Sequence, residues 1–130
     1  MRHPADAYIG IPFVAHGDTH AGVSCWGLVQ LYYREHMGLE LPAYDYAPDD
    51  RRQIAKAVAD AMASGQWSTV ERPQDGDVVT MAHRERAYHL GVFAAGKVVH
   101  VNHLGGCVVA ETPATLRARG YGRLRYLRHE

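Results

Sequence analysis

Three glycine-bearing turns, Pro73-Gln74-Asp75-Gly76, Ala95-Gly96 and Gly105-Gly106, cut the second half of this chain into short apolar runs. Runs of that length suit strands, and a two-residue turn joins only antiparallel neighbours. Strands are therefore expected over Asp77–Met81, Tyr88–Ala94, Lys97–Asn102 and Cys107–Glu111, with a last strand over Arg123–Arg128. Thr115–Tyr121 reads as a short helical or irregular piece between the last two.

The first half carries a different period. From Ser24 to about His36 the apolar residues Cys25, Leu28, Val29, Tyr32 and Tyr33 recur at helical spacing, with Gln30, Arg34 and Glu35 between them. Ser24 is placed to cap this helix and Gly38 to end it. Gly27 lowers helix propensity, so close packing is expected there. A second helix is expected over Asp49–Ala63, with Asp49 or Asp50 as cap, Ile54, Val58, Ala61 and Met62 on one face, and Gly65 as its stop. Tyr8–Phe13, broken by Gly10 and Pro12, is an irregular lead-in; His16–Gly22 and Leu39–Pro48 are loops. Helices first and an antiparallel meander afterwards make an α+β chain. With 130 residues and no linker or repeat, one domain over 1–130 is expected.

Composition bounds the partners. Fourteen Lys and Arg balance fourteen Asp and Glu, so no bulk field draws the chain to nucleic acid. Arg117, Arg119, Arg123, Arg125 and Arg128 crowd the C-terminus, which reads as a solvated face ahead of a contact for an acidic partner. No apolar run approaches the roughly 18 residues that span a bilayer. Met1-Arg2-His3-Pro4-Ala5-Asp6 is not followed by a signal-peptide core, so no secretion address is expected.

The two cysteines, Cys25 and Cys107, read as separate thiols with different tasks. Cys107 stands in an apolar strand and is expected to be a buried packing residue. Cys25 sits in the first turn of a helix, where unpaired backbone N–H groups and the helix dipole favour a thiolate. A nearby imidazole would complete the activation. On the expected hairpin, His89 and Gly91 point to one face and His100 shares a face with Val98 and Asn102. One imidazole can act as base while the other polar group holds its tautomer. His100-x-x-His103 is too small a set for zinc, and a thiolate nucleophile needs no metal or other cofactor.

Ser24-Cys25-Trp26-Gly27-Leu28-Val29 resembles the nucleophile motif of the NlpC-type cell-wall peptidases, usually Asp-Cys-Ser/Trp-Gly-Leu-Val. Tyr8-Ile9-Gly10-Ile11-Pro12-Phe13 resembles that family's Gly-x-Pro-Tyr lead-in, and Pro73-x-x-Gly76-Asp77-Val78-Val79 its Pro-x-x-Gly-Asp turn and strand. His89-Leu90-Gly91-Val92-Phe93 is similar to its base motif, and Val98-Val99-His100 to the strand bearing its third polar residue. The blocks follow the family's order from about Tyr8 to Asn102. The resemblance implies a permuted papain-like fold, with the nucleophile helix packed on a small antiparallel sheet. It also implies hydrolysis of murein stem peptides at the D-glutamyl–diamino acid bond, with Cys25 attacking, His89 as base and His100 orienting it. His103 is the reserve for the third role, and backbone N–H groups near Cys25 would hold the oxyanion.

Two positions depart from that pattern. Ser24 replaces the usual Asp, and Phe13 replaces a tyrosine whose hydroxyl reaches the site; Tyr8 is the candidate substitute. With Trp26, which borders the cleft or fills the core, these are the expected substrate-binding residues. The Cys-Trp-Gly-Leu-Val version, the Leu-Pro-x-Tyr stretch at Leu41–Tyr44 and the short length resemble the branch found among bacteriophage tail genes. That branch implies delivery to the wall by a tail, with other tail-tip proteins as partners. Two rival functions follow: an amidase or acyltransferase on the same fold, and a non-catalytic tail assembly module.

Overall fold

The computed structural model describes residues 4–43, 51–83, 88–102 and 106–129. A 3-10 turn over Pro4–Tyr8 opens the described chain. A two-stranded ladder, β1 (Asp18–Thr19) with β2 (Gly22–Val23), then forms inside the segment expected to be loop alone. Helix α1 spans Cys25–Tyr32 and passes into a π turn, Tyr33–Met37, that closes on Gly38 at φ 65°. The remainder is α2 (Arg51–Ala63), β3 (Trp67–Val70), β4 (Val78–His83), β5 (Tyr88–Ala94), β6 (Lys97–Asn102), β7 (Cys107–Glu111), α3 (Pro113–Ala118) and β8 (Tyr121–His129). The proposed α2 caps, Asp49 and Asp50, lie outside the described residues.

Three features differ from the reading of the sequence. The short helix begins at Pro113, earlier than Thr115, because Thr112 caps it and accepts from the Thr115 N–H at 3.1 Å. Trp67–Val70 is an unexpected strand. The sheet is also not a simple meander. Its order is β3-β8-β4-β5-β6-β7, every pairing antiparallel, so β8 returns past the hairpins to lie between β3 and β4. The β4–β8 register shifts between Thr80 and Ala82, and Arg123 opposite it takes φ 53°. This is a bulge that strengthens the local twist.

Strand alternation gives the sheet two buried faces. Leu90, Val92, Ala94, Val99 and Val101 belong to the main core with Leu28, Val29 and Leu31 of α1, and Val58, Ala61 and Met62 of α2 pack at its edge. Val79, Met81 and Val98 turn the other way and close on Leu116 of α3. Every residue of α1 is buried, so its packing on β5 and β6 fixes where its N-terminus ends. The Ala95-Gly96 turn has φ 53° and 76°, the left-handed pair that a two-residue hairpin needs.

The C-terminal arginines are not a uniform solvated face. Arg128 forks onto buried Asp77, Nε to Oδ1 at 3.0 Å and one terminal nitrogen to Oδ2 at 2.9 Å, and it also donates to the Arg72 carbonyl. Arg119 pairs with Glu111. Arg117, Arg123 and Arg125 are exposed.

Candidate active site

Cys25 is the first residue of α1 and is buried. Ser24 is its N-cap: the backbone there is extended, and Oγ accepts from the Gly27 N–H at 3.0 Å. The turn is held from outside as well, because the Ser24 N–H donates to the Gly17 carbonyl at 3.0 Å. Gly27 makes this approach possible. A Cβ built there would lie 1.6 Å from the Gly17 oxygen, so the expected close contact is a backbone contact that no other residue tolerates. The result is a helix N-terminus whose remaining N–H groups and dipole bear on the Cys25 thiol.

His89 and His100 stand on adjacent strands, β5 and β6, with His89 Nε2 3.0 Å from His100 Nδ1. Their rings meet edge to face at 82°, and the Tyr121 ring lies beside both. By alternation they share the face of Val98 and Phe93, opposite to Leu90 and Val92. Gly91 is needed between them: a Cβ there would meet the Val99 carbonyl at 2.7 Å and the His100 Cβ at 3.1 Å. His100 is completely buried. Burial holds its pKa below the ordinary imidazole value against the pull of Glu111, with Arg119 adding to the depression.

The chain of polar contacts continues beyond the two histidines. His100 Nε2 lies 3.2 Å from Glu111 Oε1, and Arg119 donates to that same oxygen. Glu111 pairs across the ladder with Val98, which puts it diagonal to His100 on one face. Neither Glu111 nor Arg119 stands out in the sequence. A carboxylate at an inward position of the apolar run Cys107-Val108-Val109-Ala110-Glu111 is the signal that could have found the first.

The other expected residues have identifiable places. The Trp26 indole donates to the Pro42 carbonyl at 2.7 Å, and its ring lines a small groove with Leu41, Pro42, Ala61 and Trp67. Trp26 is thus both buried and beside a concavity. Phe13 is half-buried against the main core and bridged to Val23. Tyr8 is fully buried, stacked on His20, and gives its hydroxyl to Glu35 Oε1. Burial and then the Glu35 contact push that phenol well above its usual range. His103 lies outside the described residues. Cys107 is half-buried at the start of β7, not a core residue, because alternation turns Val108 inward instead. Among the described residues no group of three or more His, Cys, Asp or Glu could hold a metal ion, and no helix is long and apolar enough to cross a membrane.

The chain resembles known proteins in sequence and in fold. Residues 10–119 match the NlpC/P60 family. The murein DD-endopeptidase MepS/murein LD-carboxypeptidase of Escherichia coli K12 is 26% identical over 102 residues, which is 78% of this chain and 47% of that protein. The same protein of Escherichia coli O157:H7 matches equally. The chain therefore spans about half the length of the curated relatives it matches. Among solved structures, the NlpC/p60 domain of the peptidoglycan hydrolase SagA superposes with a TM-score of 0.61 at 19% identity, covering 94% of this chain and 91% of that one. The α+β, papain-like fold expected from the resemblance is the fold observed.

Proposed function

The chain belongs to the NlpC/P60 family, and from that premise we propose that it is a cysteine endopeptidase acting on peptidoglycan stem peptides. The observation that carries the reading is the arrangement around α1. A capped helix N-terminus bears Cys25, and the helix packs on β5 and β6, the two strands that carry the buried His89–His100 pair on the face turned away from Leu90 and Val92.

The proposed chemistry follows from those groups. His89 takes the thiol proton, and the Cys25 thiolate attacks the peptide carbonyl to give a tetrahedral oxyanion held by backbone N–H groups at the start of α1. The C–N bond breaks as the imidazolium returns the proton to the leaving amine, leaving a thioester. Water, deprotonated by His89, then releases the acid and restores the thiol. His100 orients His89 through the 3.0 Å contact. Trp26 and Phe13 are the proposed substrate contacts; Ser24 is committed to capping α1, and the Tyr8 hydroxyl is buried and committed to Glu35, so neither serves as the contact expected from the sequence. The bond proposed is that between D-glutamate and the diamino acid. Delivery by a phage tail is a further part of the proposal, supported by the Cys25-Trp26-Gly27-Leu28-Val29 string.

Digestion of purified muropeptides, read by mass spectrometry, tests this reading. Release of peptides beginning at the diamino acid, abolished in Cys25→Ala, is expected. Cleavage at a D,D cross-link instead would correct the bond. No cleavage by folded protein, with acyl transfer from small amides retained, would favour the amidase or acyltransferase alternative.

A further inference from the structure

We propose that Glu111, held by Arg119, is a positioning residue that sets the direction of every hydrogen bond in the chain His89–His100 and so makes Nδ1 of His89 the base nitrogen. The inference rests on the peptidase reading above and deepens it. Neither Glu111 nor Arg119 belongs to the expected Cys25-His89-His100 set.

Donors and acceptors fix the direction of each bond. A carboxylate only accepts, and Arg119, which has only donors, donates to the same Glu111 oxygen. His100 Nε2, 3.2 Å from Glu111 Oε1, must therefore carry a proton. His100 is completely buried and its pKa is lowered, so the ring is neutral and its Nδ1 is a bare lone pair. That lone pair lies 3.0 Å from His89 Nε2, so His89 must donate there. A neutral His89 with its proton on Nε2 has an unprotonated Nδ1 that can accept a proton, which is the state a general base needs. After the Cys25 proton moves to Nδ1, the imidazolium still donates from Nε2 to His100, and no bond in the chain has to reverse.

The opposite tautomer of His100 would put two N–H groups face to face at 3.0 Å and leave the Glu111 oxygen against a lone pair. Glu111 disfavours that state from β7. The titratable and charged groups facing His100 among the described residues are His89 on β5, Glu111 on β7, Arg119 after α3 and Tyr121 on β8. Of these, only Glu111 is a fixed acceptor at His100 Nε2.

A structural ion pair would behave differently. Glu111 is nearly buried, and its second oxygen, Oε2, has no hydrogen-bond partner among the described residues. Removing one partner of an ion pair is costly when it strands a buried charge, but Arg119 is exposed and stays hydrated when Glu111 becomes its neutral isostere, whose oxygen can still accept from His100. Stability and chemistry should therefore separate in Glu111→Gln.

The test combines long-range ¹H–¹⁵N spectra of the histidine rings in the full chain with alkylation of Cys25 by iodoacetamide across pH. In the wild type at pH 7.5, His100 should show the Nε2–H tautomer, and His89 should carry a proton on Nε2 whether Nδ1 is bare or holds the Cys25 proton. A His100 ring protonated on Nδ1 overturns the inference without any variant. Glu111→Gln should mix the His100 tautomers, shift the pH profile of Cys25 alkylation, and lower kcat on muropeptides by about tenfold or more at unchanged KM. That loss is a fraction of the ~10²–10⁴ a general base contributes. Should this variant fold poorly, Arg119→Gln, which frees Glu111 from its partner, is expected to shift the same profile to a smaller extent. A profile that neither substitution moves overturns the inference. The two failures separate: a thiol indifferent to His89→Ala sinks the peptidase reading, whereas one that needs His89 but ignores Glu111→Gln sinks this inference alone.

Discussion

Gly27 carries the tightest geometric constraint near the nucleophile. Its missing side chain lets the Gly17 carbonyl reach the first turn of α1, and the Gly17 carbonyl in turn accepts from Ser24. Gly27→Ala is expected to destabilise the fold by about 1–3 kcal/mol, the range for overpacking, measured by urea denaturation. Cys25 alkylation should slow in the same variant, because the cap is displaced. Ser24→Ala should cost about 1 kcal/mol as a lost cap, with no displacement of Gly17. His100 makes a pH prediction. Its folded pKa lies below the ordinary 6.5, so between those values the unfolded chain binds more protons than the folded one. The stability His100 contributes is present above about pH 6.5 and is lost as pH falls through its lowered folded value. His100→Asn should flatten the fall in stability over that window, and a fall of equal steepness would contradict the assignment.

At the scale of elements, the sheet depends on contacts between distant parts of the chain. Asp77 immediately precedes β4 and Arg128 lies near the end of β8, so their fork locks the returning strand beside the hairpins. Arg128→Met should lower the melting temperature clearly more than Arg125→Met, whose side chain is exposed. Equal effects would show that the fork is dispensable. Leu28 of α1, 1% exposed, anchors the helix on the sheet, and Leu28→Ala should cost about 2–5 kcal/mol. The hairpin strands and α1 were legible in the sequence because glycine turns and helical period are local signals. Trp67–Val70 was not, since a short half-polar run becomes a strand only when β8 arrives beside it. The insertion of β8 was hidden for the same reason: pairing with β3 and β4 depends on tertiary contacts, not on the run itself.

For the whole molecule, the candidate site is assembled from pieces with very different visibility. The helix start at Cys25 was readable from its cap and period, and the faces of His89 and His100 from strand alternation, while their proposed roles came from the family resemblance. Glu111 and Arg119 were not, because an ordinary Glu at a strand end acquires its role only through the β6–β7 register and the placement of α3. The peptidase reading requires that all these pieces act on one thiol. The most direct measurement is alkylation of the native protein at pH 6, with Cys25 and Cys107 mapped separately in wild type and in His89→Ala. An ordinary thiol, with pKa near ~8.5, is almost wholly protonated there and reacts slowly. Cys25 is expected to react much faster than Cys107, and the advantage to collapse in His89→Ala. A folded wild type whose Cys25 reacts no faster than Cys107 would contradict the peptidase reading.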